Sequence, residues 1–403
     1  MLPAHIFRRD VPDSHMMNLN AFQKGLSAGN FNFFKLELIR PKRLFLMLDS
    51  DTYLLAAGKI WSMKRWILRY SALLFVLVAL ICFFLIPVFA HVPTFGEGGK
   101  SPETATRIEN PAKSRVLYGQ LSEGNLQYYS FEVEEGERIV IGLIVPAVEE
   151  SRTFTPVLIF MGPGLAEEGE VPETLELPEG YGGKVFSGEM PESATYEGFT
   201  PAAFYSLARA DLQAPESGTY YVAVSSIKEG SNYGVILGYK EHFSLLEWLL
   251  IPLTQIKTYL WEGQSLPFIF FPLGLTLAAG ILVILLKKEA AAGFNPARWA
   301  GIFAGLFFLG TGLSFIFQMF FSLSRSSYSP EVIITVFLAL ASIWLGLTAL
   351  ILSLKDEKYG IKSTRKQFYF FGLGLAGLLL WAGWFIGPVL AFEAAVLPWR
   401  RKS

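Results

Sequence analysis

The chain has 403 residues, of which 52% are hydrophobic and 15% aromatic, and its mean hydropathy is +0.39. This composition is too apolar for an ordinary soluble protein and indicates a membrane protein. The net charge of -1 hides a segregation, because residues 91–242 carry 23 acidic and 10 basic side chains and the remaining segments are net positive. An acidic module on the outer side of a membrane is expected together with cationic segments near the cytoplasm. A uniform nucleic-acid-binding surface is not expected from this distribution.

Cysteine chemistry is excluded from the acidic module. Cys82 is the only cysteine and lies inside a long apolar run that precedes the module. Residues 91–242 therefore offer no disulfide, no thiolate metal ligand and no cysteine nucleophile. A module of about 150 residues can be held by its hydrophobic core alone.

The N-terminal part of the chain is interpreted as an extension followed by an export signal. Residues 1–62 scatter apolar side chains among Pro, Gly and Asn without a lasting period, which favours Met63 as the true start. Residues 63–90 have early cations, a long apolar run and a small-residue ending, the pattern of a secretory signal peptide. Cleavage after Ala90 would make His91 the first mature residue. The alternative is an uncleaved signal anchor, favoured by an apolar run of 20 residues.

Residues 91–242 are predicted to form an extracytoplasmic β domain. Apolar and polar side chains alternate over 128–134 and over 139–145, and the Glu-Gly-Glu turn between them predicts a β-hairpin. Further short strands are predicted within 155–164, 220–226 and 233–239. Short strands separated by turn residues, without a helical period, are typical of a β-sandwich.

Two of these segments carry a family pattern. YGQLSEGNLQYYSFEVEEGERIVIGLIV (118–145) and LQAPESGTYYVAVSS (212–226) resemble the hairpin and the Y-Y-V-x-V strand of the bacterial and archaeal pre-peptidase C-terminal domain. The resemblance covers 114–240. It implies a jelly-roll-like, all-β sandwich that supports binding or folding and is not catalytic. The stretch 165–207 is longer and richer in Glu than usual, and Asp211 is the only aspartate where some relatives use several for calcium.

Helical patterns begin after the β module. Residues 243–262 are predicted to form an amphipathic helix with Trp248 and Trp261, and the preference of Trp for the headgroup zone favours a position on the outer leaflet. A lid over the sandwich is the alternative. Residues 266–391 are predicted to form four transmembrane helices, since each apolar run has the roughly 20 residues that a span needs. The four runs are Leu266–Leu286, Trp299–Leu323, Val332–Leu354 and Phe368–Leu390.

The loop charges predict a multi-pass protein of the cell membrane with its β domain outside. The loops after the first and third spans are basic, whereas the loop after the second has only Arg325. The basic residues are Lys287, Lys288 and Arg298 in the first loop and Lys355, Lys358, Lys362, Arg365 and Lys366 in the second. This orientation leaves the basic tail, 392–403, outside the cell, unless the last run forms a re-entrant segment around Gly387-Pro388.

The spans and the β module lack the motifs of a transporter or an enzyme. The four runs are almost free of ionisable side chains, which disfavours an ion or proton pathway. No nucleophile elbow or zinc-protease helix is present, so the chain is predicted not to be an enzyme. Small residues in the spans favour close packing within the bundle or against partner subunits. We therefore predict an envelope binding module and accessory subunit, with the lipid bilayer and a membrane or envelope protein as partners.

Histidine supports one alternative of a different class. His91 and His242 are the only histidines of the exported part. A free α-amine on His91 would give three nitrogen ligands, which suit Cu(II), so the alternative is a copper-binding envelope protein. The simpler interpretation is that His91 is a residue of an extended tail and that His242 is a polar residue at a domain boundary. The glutamates of 167–179 offer carboxylates for Ca²⁺, but the intervening Pro and Gly favour a solvated loop.

Overall fold

A computed structural model describes residues 91–399 except for 171, 173–174, 227–229, 287–294 and 356–362. The predicted N-terminal extension and the signal segment lie outside the described residues, as do most of the two basic loops and the end of the basic tail. In the described part, strands occupy the chain up to Leu237 and long helices follow from Leu245.

The strands form two separate sheets. They are β1 (Val92–Phe95), β2 (Thr106–Arg107), β3 (Arg115–Gln120), β4 (Leu126–Val133), β5 (Arg138–Pro146), β6 (Val157–Pro163), β7 (Tyr181–Phe186), β8 (Thr195–Glu197), β9 (Ala202–Gln213), β10 (Gly218–Ser225) and β11 (Asn232–Leu237). The first sheet has the order β1-β3-β11-β5-β9-β8, and the second has the order β2-β4-β10-β6-β7.

The two sheets share one hydrophobic core. Leu143 and Val235 of the first sheet are fully buried, as are Phe160 and Tyr220 of the second. The rings of Phe160 and Tyr220 stack at 5.4 Å. Burying a large apolar side chain stabilises a fold by about 1.5–3 kcal/mol, so the alternation seen in the sequence identifies the strand faces that hold this region together.

The hairpin predicted from 128–134 and 139–145 is wrong, although both strands exist. β4 pairs with β10, where Phe131 faces Tyr220, while β5 pairs with β11, where Leu143 faces Val235. The turn around Gly136 therefore carries the chain from one sheet to the other. Alternation shows which face of a strand is buried, but it does not show which strand is the hydrogen-bonded neighbour.

Six helices follow in the described residues. They are α1 (Leu245–Trp261), α2 (Leu266–Leu286), α3 (Pro296–Leu323), α4 (Val332–Leu354), α5 (Ser363–Leu379) and α6 (Ile386–Val396). Among them α2, α3 and α4 are long and apolar enough to cross a membrane. They confirm the first three predicted runs and support a membrane protein with a large β region.

The fourth predicted span is not one helix. The chain leaves the helix after Leu379, and Trp381, Gly383, Trp384 and Phe385 all take positive φ angles, between 51° and 83°. Only glycine adopts this left-handed conformation without steric cost, so the turn ends α5 and redirects the chain into α6.

α5 and α6 pack against each other as a helical hairpin. The rings of Phe370 and Trp399 stack at 5.2 Å, and Gln367 donates a hydrogen bond to the carbonyl oxygen of Leu397. Asn295, which caps α3, donates a hydrogen bond of 3.0 Å to the carbonyl oxygen of Trp399. The chain therefore returns to the end of the bundle where α3 starts.

α1 covers the outer face of the first sheet. The indole of Trp261 donates to the carbonyl of Tyr233, and Lys113 contacts the carboxylate of Glu247 at 2.6 Å. The buried face of α1 includes Ile251, Gln255, Thr258 and Tyr259, and the opposite face exposes Leu246, Leu250, Leu253 and Leu260. The contact between α1 and the first sheet agrees with the alternative in which this helix is a lid over the β domain. The leucines of the opposite face are exposed, and the position of the helix at the membrane surface stays a prediction.

Candidate functional site

The candidate site is the junction between the β region and the helices. The turn after β8 lies on the first residues of α4, where Thr335 donates a hydrogen bond to the carbonyl of Gly198 and Glu331 accepts one from the Gly198 amide. Since the Thr335 hydroxyl proton is committed to that carbonyl, the hydroxyl of Tyr196 donates to Thr335 at 2.6 Å. A Cβ atom at Gly198 would lie 2.5 Å from the carbonyl oxygen of Glu331, so glycine is required for this approach.

The tip of the α5–α6 hairpin joins the same junction through tryptophans. Trp381 donates a hydrogen bond to the carbonyl of Trp248 at 2.9 Å, and Trp248 donates to the carbonyl of Leu379 at 3.1 Å. The two indole rings lie 4.5 Å apart, and Phe199 meets Trp381 edge-on at 6.1 Å. These contacts fix the hairpin tip against α1 and the turn after β8.

A cavity of about 40 Å³ lies between the first sheet, α1 and Trp381. This volume holds about three water molecules. Aromatic rings dominate the wall, and the polar members are His91, Glu197, Thr200 and Thr258. The rings belong to Tyr118, Phe199, Phe204, Phe243, Trp248, Trp261 and Trp381. No Lys or Arg of the described residues lines the cavity.

Glu197 gives this cavity its chemistry. Its carboxylate accepts a hydrogen bond from the Phe199 amide at 3.3 Å. Burial raises the pKa of Glu197 to about 8, and repulsion from Glu331 adds to the effect. Burial raises the pKa of Glu331 as well. Near neutral pH, Glu197 therefore holds a proton that an exposed glutamate would lose.

The two histidines of the predicted copper site have different environments. His91 precedes β1, lines the cavity and shares a short hydrogen bond with the Ser114 hydroxyl. Burial, with a smaller effect from Arg209, lowers the pKa of His91 to about 4, so its ring is neutral at pH 7. His242 is exposed, and no hydrogen bond joins the two rings in the described residues. Copper binding by His91 and His242 stays a prediction.

A second part of the junction is a buried polar network around Glu262. Its side chain accepts a hydrogen bond of 2.8 Å from the Ala203 amide in β9 and one of 3.0 Å from Arg325 at the end of α3. Gln264 donates to Glu262, and Gln264 and Gln318 exchange two hydrogen bonds of 3.0 and 2.8 Å. These hydrogen bonds join the first sheet to α3, and the side chains that form them have little or no exposure to solvent.

Sequence reasoning found only part of this junction. Gln318 and Arg325 stand out in the sequence as the polar residue of a predicted span and the one cation of the loop between the second and third predicted spans. Glu197 carries no such signal, because the β module contains many glutamates and this one lies in no motif. Glu262, which follows α1, lies in no motif either. Their importance comes from burial, which the local sequence does not show.

The glutamate-rich loop, residues 167–179 apart from 171 and 173–174, packs on the outer face of the second sheet. Leu175 and Leu177 contact the cluster around Tyr128 and Ile159, and the hydroxyl of Tyr128 accepts a hydrogen bond from the Glu176 amide. The described glutamates of this loop are exposed. Within the described residues, no three His, Cys, Asp or Glu side chains converge to hold a metal ion.

Comparisons with known proteins found weak structural similarity. No family model matches the chain, and no curated protein sequence matches it. The structure of PliG from Salmonella Typhimurium, a periplasmic lysozyme inhibitor of g-type lysozyme, is 13% identical with a TM-score of 0.19, over 34% of this chain and 97% of that chain. PliG from Aeromonas hydrophila is 12% identical with a TM-score of 0.21, over 38% of this chain and 100% of that chain. No functional assignment follows from TM-scores of this size.

Proposed function

We propose that this chain is a cell-envelope protein whose β region is an extracytoplasmic binding module held by membrane helices, and that it acts as an accessory subunit of a larger membrane complex. The observation that carries the proposal is the position of Glu262. One buried carboxylate binds the β9 backbone and the Arg325 guanidinium together. A flexible tether would not need such a contact, so the β region is held in a fixed position for a partner.

The proposed fold of the module is a jelly-roll-like sandwich of the pre-peptidase C-terminal type. Two sheets that share one core support this assignment. The aromatic strands β4 and β10, which carry the resemblance, pair directly, with Phe131 opposite Tyr220. In the family that it resembles, such a domain is an accessory to other units, and we propose the same non-catalytic role here.

The proposed topology has three spans and a hairpin that enters the membrane from the cytoplasm. α2 runs inward from the β region, α3 returns, α4 runs inward again, and α5 and α6 form the hairpin. Contacts at both ends of the bundle support this order. Arg325 and Thr335 contact the β region, whereas Asn295 and Trp399 meet at the opposite end. All basic segments then lie inside, in agreement with the positive-inside rule.

Purification from native membranes tests the proposed function. We expect the full chain, crosslinked in intact cells and isolated in mild detergent, to carry a co-purifying membrane or envelope protein in a fixed ratio. A matched sample of the variant Arg325→Ala, in which the β region is uncoupled from α3, should lose this partner, while Arg107→Ala at an exposed ion pair should keep it. Recovery of the wild-type chain alone would overturn the proposal.

A further inference from the structure

An apolar groove of about 690 Å³ runs along the exposed side of α2 and α3. Its wall on α2 extends from Phe271 to Ile284, a length of about 20 Å at the rise of an α-helix. One leaflet of the hydrocarbon core is about 15 Å thick, so the groove is long enough for an entire acyl chain. Among the described residues, Thr276 is the only polar side chain in the wall, and its hydroxyl donates to the carbonyl of Pro272.

The described side chains leave this groove open. Phe271, Leu275 and Val283 of α2 line it and expose 57%, 57% and 52% of their surface. The volume and the length together give a mean cross-section of about 35 Å², whereas a helix about 10 Å across occupies about 80 Å². These dimensions suit an extended hydrocarbon chain better than a helix.

One end of the groove lies beside two cations. The groove ends at Ile284 on α2 and at Leu354 on α4, and Leu354 is followed directly by the exposed Lys355. Arg298 lies one turn before Ile302, which belongs to the same buried cluster as Ile284, so Arg298 is on the groove face of α3. This is the end of the bundle that is opposite the β region.

Both cations lack an anionic partner. No carboxylate of the described residues pairs with Arg298 or Lys355. The Nε atom of Arg298 is buried and has no hydrogen-bond partner there. A buried donor without an acceptor is costly, so this position favours an anionic group from outside the chain. The segments 287–298 and 355–366, at the same end of the bundle, contain eight basic and three acidic side chains.

We infer that the groove binds one anionic phospholipid, with an acyl chain along α2 and α3 and the phosphate beside Arg298 and Lys355. Basic residues at the mouth of a groove between transmembrane helices suit anionic headgroups, and the N–H groups of a guanidinium suit phosphate oxygens. The inference rests on the proposed position of α2, α3 and α4 in a membrane and does not rest on the proposed protein partner.

Native mass spectrometry of the full chain tests the choice of lipid. The chain is purified in detergent, stripped of lipid and titrated with phosphatidylglycerol or with phosphatidylcholine of the same acyl chains. We expect one phosphatidylglycerol molecule to bind at least about tenfold more tightly than phosphatidylcholine, because two cations face its headgroup. This comparison needs no variant. Equal binding of the two lipids, or no saturable binding, would overturn the inference.

Two matched pairs of variants locate the site. Ala279→Phe fills the groove and should abolish the tight binding of phosphatidylglycerol, whereas Ala278→Phe, at an exposed alanine outside the groove, should leave it unchanged. Arg298→Gln should weaken binding about fivefold, whereas Arg365→Gln, at an exposed cation of α5, should not. Equal effects within either pair would count against this location and overturn the inference.

A helix of another protein is the competing occupant. The variant Leu275→p-benzoylphenylalanine places a photo-crosslinker on the groove wall, and on irradiation in native membranes it should crosslink to lipid. Crosslinking to a second protein at this position would overturn the inference. Lipid binding as expected, without any co-purifying protein, would support the lipid site and overturn only the proposed accessory role.

Discussion

The Nη2 atom of Arg325 lies 3.0 Å from the Oε1 atom of Glu262, whose side chain has no exposure to solvent. This pair joins the end of α3 to the end of α1, and Arg325 also donates to the carbonyl of Ala147 in the β region. Burial raises the pKa of Glu262 despite the cation beside it. The contact therefore couples two parts of the chain through a carboxylate that has no access to solvent.

Removal of the cation should destabilise the junction strongly. Arg325→Ala leaves Glu262 buried without a counter-ion, and the expected loss is about 3–5 kcal/mol in the free energy of unfolding of the β region. Denaturant unfolding of the protein in detergent, followed by tryptophan fluorescence, measures this loss. The double variant Glu262→Gln, Arg325→Met should recover most of it. A loss no larger than that of Arg138→Ala, at the exposed pair with Asp211, would contradict the expectation.

Glu197 should make the protein less stable as the pH rises. Its pKa is about 8 in the folded chain and about 4.5 in the unfolded chain, so the folded state binds the proton more tightly. The contribution of Glu197 to stability is therefore greatest below pH 4.5 and falls between pH 4.5 and pH 8. Glu197→Gln cannot lose a proton, so its melting temperature should exceed that of the wild type by an amount that grows across this window. Parallel curves for the two proteins would refute the assignment.

Glu247 should have the opposite effect in acid. Burial acts to raise its pKa, but hydrogen bonds from Lys113 and Ser244 outweigh burial and lower the pKa to about 2. The stabilisation is complete above pH 4.5 and is lost as the pH falls toward 2. Thermal unfolding of Glu247→Gln should lack this acid-dependent loss. Glu123→Gln serves as the control and should retain the wild-type slope.

The proposed hairpin determines the side of the C-terminal tail. In a Cys82→Ser background, a cysteine at Ser403 should react with a membrane-impermeant maleimide only after the cells are opened. A cysteine at Ser122, in the β3–β4 turn, should react in intact cells. Labelling of both positions from outside would show that α5 and α6 do not return the chain to the side of the basic loops.

The sequence by itself determined where several of the strands and the three long helices lie, although β9 was not among the strands that it predicted. β4 and β5 lie where alternation predicts them, and α2, α3 and α4 coincide closely with the long apolar runs. These features depend on the period of burial along a short segment, which is visible in neighbouring residues. The charge segregation was visible for the same reason.

Only the tertiary structure decided how the segments meet. Strand partners, the break after Leu379 and the burial of Glu197 and Glu262 all depend on residues distant in the chain. Trp381, which lines the junction cavity, is fixed by a hydrogen bond to Trp248, 133 positions earlier. A local pattern cannot carry such information, because the free energy of a buried contact belongs to both partners and arises when the chain brings them together.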